Sequence, residues 1–156
     1  MRLTDFTDYS LRVLTYVAAR GEELATIQEL TDSLGIARGH LGKIVHTLGR
    51  AGYLSTTRGR MGGMRLGLPA NEITIGSVVR ATEPDFRIVE CFNAAENKCT
   101  ITPACGLRGM LERASHAYMA VLDEYTLADL AIEPHTLARL LSGAPTIIPL
   151  VPLTRG

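Results

Sequence analysis

The stretch "TIQELTDSLGIARGHLGKIVHTLGRAGYLSTTRGRMGGMRL", residues 26–66, decides the fold. Its opening, "TIQELTDSLG", predicts a short helix with Thr26 as N-cap, Glu29 at the capping-box position and Gly35 as the C-terminal stop. After the tight "GIA" comes "RGHLGKIVHTLGRAG", a second helix with Leu41, Ile44, Val45 and Leu48 inward and Gly52 ending it. Those inward positions turn Arg38, His40, Lys43 and Thr47 outward. Two short helices across a glycine turn, the second basic on its outer face, read as a helix-turn-helix. "YLSTT" and "GMRLGL" are strand-like pieces around "RGRMGG", a glycine-rich hairpin carrying Arg58 and Arg60. A basic hairpin directly after a recognition helix is a wing. The helix offers donors to base edges in the major groove of double-stranded DNA, and the wing arginines reach an adjacent phosphate or the minor groove. Gly39 and Gly42 lower helix propensity in the reading helix, which points to close approach of its backbone to another molecule.

Charge distribution supports this reading where total charge does not. The 16 basic and 16 acidic residues cancel. Between Ser33 and Asn71, however, stand six basic residues (Arg38, Lys43, Arg50, Arg58, Arg60, Arg65) and no acidic one. A positive block inside a neutral chain is an electrostatic footprint for a polyanion, against the plainer alternative of a solvated basic face. A 46% hydrophobic content supports a core, and 5% aromatic content without Trp makes that core aliphatic. The opening "MRLTDFTDYS" lacks the pattern of a secretory leader. No uninterrupted apolar run approaches the ~18 residues of a membrane span. A cytoplasmic protein with no membrane partner is expected, and an odd cysteine count there favours metal or redox chemistry over structural disulfides. "GRMGG" lacks the lysine of a phosphate-binding loop, and no acid–base pair is readable, so an enzyme is not expected.

The fold expected is mainly α with a small β-wing: a winged helix-turn-helix followed by a long dimerisation helix. Residues 1–82 form the DNA-binding region, 83–132 a cysteine-bearing loop with that helix, and 133–156 a C-terminal tail. "TDFTDYSLRVLTYVAAR" predicts the first helix, capped by Thr4 and ended by Gly21, and "TIGSVVRATE" a further one capped by Thr74. "GLRGMLERASHAYMAVLDEY" carries Leu107, Leu111, Ala114, Tyr118, Val121 and Tyr125 at gaps of four and three. That heptad seam suits a homodimer, the usual state of a half-site reader, against a helix packed on its own domain. "TLADLAI", residues 126–132, is expected to cap the seam, and "HTLARLLSG" to form a short helix before a Pro-rich end.

All three cysteines, Cys91, Cys99 and Cys105, fall within "CFNAAENKCTITPAC". Unrelated buried thiols rarely cluster so closely. Zinc needs a fourth ligand, for which His116 is the candidate, and a thiol switch uses only two of the three. An iron–sulfur cluster fits best, since thiolates are its preferred ligands and the irregular spacing lets a loop wrap a bulky core.

Taken together, "LTDFTDYSLRVLTYVA", the 26–66 stretch with its "RGxxGGxxL" wing, "ITIGSVVRATE", the cysteine trio and "TLADL" resemble the Rrf2 family of winged-helix regulators over residues 1–132. The opening is most similar to the nitric-oxide-sensing branch of that family. In the branch that governs cluster assembly, a histidine three residues after the last cysteine completes the site, whereas here that residue is Arg108. The resemblance implies a repressor that releases its operator when nitric oxide nitrosylates its cluster. It also implies that Asp8 of the partner subunit supplies the fourth ligand, with Arg12 orienting that carboxylate. Asp8 and Arg12 are equally an ordinary i, i+4 ion pair. Three cysteines and a carboxylate serve either a [4Fe-4S] cluster, the expected one, or a [2Fe-2S] cluster. The alternatives are a regulator of the same family responding to iron or redox status, or one using zinc or a thiol switch.

Overall fold

A computed structural model describes residues 2–59 and 62–130, together with Thr136. The expected helix over 135–143 and the tail beyond it lie, apart from Thr136, outside the described residues, as does Arg60. Among residues 2–59 and 62–130, five α-helices and one two-stranded antiparallel sheet follow in the order α1 (Asp5–Ala19), α2 (Ile27–Leu34), α3 (Arg38–Arg50), β1 (Leu54–Thr57), β2 (Gly63–Leu66), α4 (Ile75–Thr82) and α5 (Gly106–Glu124).

The helix boundaries follow from local chemistry. The Thr4 hydroxyl accepts from the Thr7 N–H, and Gly21 sits in the left-handed region just beyond the end of α1. A complete capping box starts α2, with the Thr26 side chain accepting from the Glu29 N–H and the Glu29 carboxylate accepting from the Thr26 N–H. Gly35, at φ +65°, ends it. Thr74 caps α4 through the Ser77 N–H.

Val13, Leu14 and Val17 of α1, Leu30 of α2, Leu41, Ile44 and Leu48 of α3, and Val78 of α4 form one buried cluster with Leu54 and Met64 of the hairpin. Each such side chain contributes roughly 1.5–3 kcal/mol by leaving water. Val45, expected inward, is only partly buried and packs on the edge of this cluster, because the buried stripe of α3 is narrow.

In the wing, Leu54 pairs with Leu66, Ser55 with Arg65, Thr56 with Met64 and Thr57 with Gly63. Met64 also exchanges backbone hydrogen bonds with Ala25 (2.9 and 2.8 Å), so the chain just before α2 clamps the base of the hairpin. A Cβ on Gly63 would come within 2.8 Å of the Ala25 carbonyl, so this contact requires glycine.

The expectation that 126–132 caps the seam of α5 is corrected for the described part of that segment. Residues 126–130 turn back onto the winged helix. The Leu127 N–H donates to the Ile73 carbonyl (2.8 Å), the Ile75 N–H to the Tyr125 carbonyl (2.9 Å), and Leu127 is fully buried in the common core. The physical reason is a better burial site: the gap beside Ile73 and Val78 takes Leu127 without a second molecule.

Helix α5 spans 19 residues without one buried side chain. Leu111 and Tyr118, two members of the expected seam, are half-buried against their own chain. The open apolar stripe instead runs through Leu107, Met110, Ala114, Ala117 and Val121, with Leu107 and Met110 each 57% exposed. The heptad spacing holds while the stripe is rotated by about one position.

Candidate nucleic-acid interface and cysteine segment

The outer face of α3 presents Arg38, Gly39, His40, Gly42 and Lys43 to solvent. Thr47 is half-buried. His46, which the sequence reading left out, is exposed on the same face, and its place three residues after Lys43 was the signal for it. A Cβ at Gly39 or Gly42 would meet nothing within 4 Å. Internal packing therefore does not demand these glycines, and they leave a bare strip of backbone on the reading face.

Helix α3 starts at Ala37 with no side-chain cap and no acid in its first turn. Its unsatisfied N–H groups and the Arg38 cation thus share one end, an arrangement the helix dipole disfavours unless an anion joins them. Arg58 is exposed at the wing tip beside Gly59, whose φ is +115°. Among the described residues, Arg38, Lys43 and Arg58 have no carboxylate partner. Arg65 lines a shallow groove with Glu22 on the flank of the hairpin.

Asp8, on α1, holds Arg12 at two points: Arg12 Nε donates to Oδ1 at 3.1 Å, and Nη2 lies 2.7 Å from Oδ2. The Arg12 guanidinium carbon is 5.8 Å from the centre of the Tyr9 ring. That ring is in turn tilted against the His40 imidazole at 6.5 Å. A continuous line of contacts therefore joins the Asp8 carboxylate to the first turn of the reading helix.

The cysteines occupy the connection between α4 and α5. Cys91 lies in a short 3₁₀ turn, Cys99 in a loop, and Cys105 at the N-cap of α5. All three are half-buried free thiols. The loop satisfies its own polar groups: Asn97 Oδ1 accepts from the Cys99 N–H, and Thr102 Oγ1 donates to the Cys99 carbonyl at 2.8 Å. Arg87 ties the approach to this segment, donating to Asp85 and to Glu96. Its side-chain hydrogen bonds hold the Asp85 carboxyl below the usual carboxylate range. With two carboxylate partners Arg87 has little positive charge to spare, whereas Lys98 is exposed.

The donor set suits a thiophilic metal or an iron–sulfur cluster. Cys105 is the N-cap residue of α5, whose first turn has no side-chain cap hydrogen bond. Among the described residues of one chain, no three His, Cys, Asp or Glu side chains gather into a group that could hold a metal ion.

A family model described as "Rrf2: Iron-dependent Transcriptional regulator" matches residues 3–133. The HTH-type transcriptional regulator NsrR of Bacillus subtilis is 51% identical over 142 residues, covering 90% of this chain and 97% of that protein. Its counterpart in Bacillus licheniformis is 48% identical over 91% of this chain and 100% of its own. Among solved structures, CymR, the global cysteine regulator of B. subtilis, superposes with a TM-score of 0.69 at 27% identity, covering 84% of this chain and 96% of that one.

Proposed function

The chain belongs to the Rrf2 family of transcriptional regulators, and on that premise we propose that it is a homodimeric iron–sulfur-dependent repressor of nitric-oxide-responsive promoters. One observation carries the reading: three free thiols lie in the segment that leads from α4 of the DNA-reading head into helix α5. Similarity to NsrR regulators supports it.

Cys91, Cys99 and Cys105 would hold the cluster, [4Fe-4S] rather than [2Fe-2S], with Asp8 of the partner subunit as the oxygen ligand. When bound, the cluster supplies an iron centre able to react with nitric oxide. The chain's own residues do the rest. Arg12 fixes the orientation of the Asp8 carboxylate, and Tyr9 carries the position of Arg12 to His40. The open stripe of α5 meets the same stripe of a second copy, which spaces the two α3 helices for successive major grooves. Lys43, His40 and Thr47 would read base edges, with His46 beside them, and Arg38, Arg58 and Arg60 would supply charge to phosphate. Regulation then requires a difference in DNA affinity between the two states of the cysteine segment.

The test is an absorption spectrum of protein purified without oxygen, with iron and sulfide analysis, before and after nitric oxide. A broad band near ~400 nm with about four irons per chain, altered by the gas, is the expected result. A duplex selected from a random-sequence pool then reports DNA affinity in each state. Colourless protein after anaerobic reconstitution defeats the cluster reading and leaves a thiol- or zinc-based regulator.

A further inference from the structure

The carboxylate of Glu83 joins two parts of the chain 79 residues apart. Its Oε1 accepts a 2.7 Å hydrogen bond from the Thr4 N–H, and the Thr4 hydroxyl lies 3.2 Å from the same oxygen. Thr4 is the N-cap of α1, so the negative charge stands at the positive end of that helix, where a charge-assisted bond is strong. Both residues are half-buried.

Glu83 is itself fixed from behind. Its N–H closes α4 on the Val79 carbonyl at 2.8 Å, and Val78, Val79 and Thr82 of that turn are buried. Immediately after it comes Pro84, and the chain runs from there to Cys91. The latch therefore stands where the cysteine connection leaves the core, and it holds the helix that carries Asp8, Tyr9 and Arg12.

Beneath it lies a cavity of about 290 Å³, walled by Leu3, Phe86 and Ile88 on the strap side and by Ser115, Tyr118 and Met119 of α5. Strap residues 84–88 are exposed and have empty space below them. They have room to settle inward or lift away without disturbing the core.

We propose that Glu83 is a positioning residue that couples the state of the cysteine segment to the N-terminus of α1, and through α1 to the reading helix. The inference rests on the cluster-dependent reading above. A strap held taut by the cysteines keeps the Glu83 carboxylate on Thr4 and α1 seated. A strap released from them shifts the carboxylate off the N-cap, and α1 loosens against α3 at the Tyr9–His40 contact.

The test uses the full chain in cluster-bound and cluster-free forms, with Glu83→Ala, Glu83→Gln and Thr4→Pro. Proline at position 4 removes the N–H donor at the native φ of −64° but also the capping hydroxyl, so Thr4→Ala, which loses the hydroxyl and keeps the N–H, is its control. The first readout is amide exchange in both forms. In cluster-bound protein Glu83→Ala should speed exchange at the first turn of α1 relative to wild type, while Glu83→Gln, which keeps an acceptor, should retain most of the protection; in cluster-free protein, where the carboxylate has left the N-cap, both variants should match wild type.

The second readout is the ratio of affinities of the two forms for the selected duplex. Glu83→Ala should reduce that ratio about tenfold, the loss expected for one charge-assisted hydrogen bond. Thr4→Pro should reduce it comparably, and the double variant should go no further than either single one. A latch that only stabilises the fold would weaken both forms equally and leave the ratio unchanged, which overturns the proposal. A wild-type ratio of one overturns it together with the cluster-dependent reading. A wild-type ratio well above one that survives both variants removes the latch alone.

Discussion

Removing Arg58 should flatten the salt dependence of DNA binding by an amount that follows from its surroundings. Arg58 is exposed at the wing tip and has no carboxylate partner among the described residues, so its charge is available to phosphate. In a homodimer Arg58→Ala removes two such charges. Each phosphate contact contributes about 0.9 to the slope of log affinity against log salt, so the slope should become shallower by about 1.8. Between ~50 and ~200 mM salt, the affinity deficit of the variant should therefore shrink about 12-fold. Fluorescence anisotropy on a short random-sequence duplex, titrated with KCl, measures this directly. Arg113→Ala is the control, because Arg113 lies exposed on α5, outside the reading head, and its slope should match wild type. Parallel lines for Arg58→Ala and wild type would show that the wing tip does not touch the backbone, and the assignment of this hairpin as a wing would fail.

Lys43→Ala should leave binding to random duplex nearly intact but reduce discrimination of the selected duplex by about 1–3 kcal/mol, read by competition against single-base variants. Asp8→Ala should spare dimerisation, measured by sedimentation, yet give a cluster with an altered or short-lived spectrum; an unchanged spectrum would remove Asp8 as a ligand. Leu127→Ala should cost about 2–5 kcal/mol in urea unfolding, because it empties a fully enclosed site. Leu130→Ala, at 41% exposure, should cost under about 1 kcal/mol. Burial tends to raise the Glu29 carboxyl, but the Thr26 hydrogen bonds and Arg20 outweigh it and hold the group below its ordinary value of 4.5. A depressed carboxyl stabilises the fold above its unfolded pKa and loses that contribution as pH falls through the folded value. Glu29→Gln should therefore be less stable than wild type at neutral pH, by about 0.5–1 kcal/mol after allowance for solvent screening. That gap should close below pH 4.5.

The parts of this fold that were legible in the sequence are those decided within a few residues. Thr4, Thr26 with Glu29, and Thr74 announce their helices because a cap is a bond between near neighbours. Gly35 does so because a left-handed residue is needed at one place only. Differences appear where two adjacent faces of one helix compete. Val45 packs on the edge of the core rather than inside it, His46 joins Lys43 on the exposed face of α3, and the most open stripe of α5 passes beside Leu111 and Tyr118. An apolar period says that a stripe exists, but neighbouring elements decide which way it turns. The destination of Leu127 was illegible for a stronger reason, since its partners Ile73 and Val78 lie some fifty residues away in the chain. The cysteine segment was legible as chemistry. Its geometry was not, because thiols without secondary structure carry no period to read.

The return of residues 125–127 to the core makes α5 a cantilever. Its C-terminal end is fixed by the Tyr125 and Leu127 backbone bonds and by the fork of Arg80 on Asp123 (2.7 and 2.5 Å). Its other end is Cys105. Nineteen residues make a beam about 28 Å long, so a tilt of about 5° at the root moves the cysteine end by about 2.5 Å. The root is its tightest point of attachment, where Gly76 of α4 lets Asp123 approach so closely that a Cβ would strike its carboxylate. Changes at that root, remote from every cysteine, should alter how far the sulfur-bearing end travels.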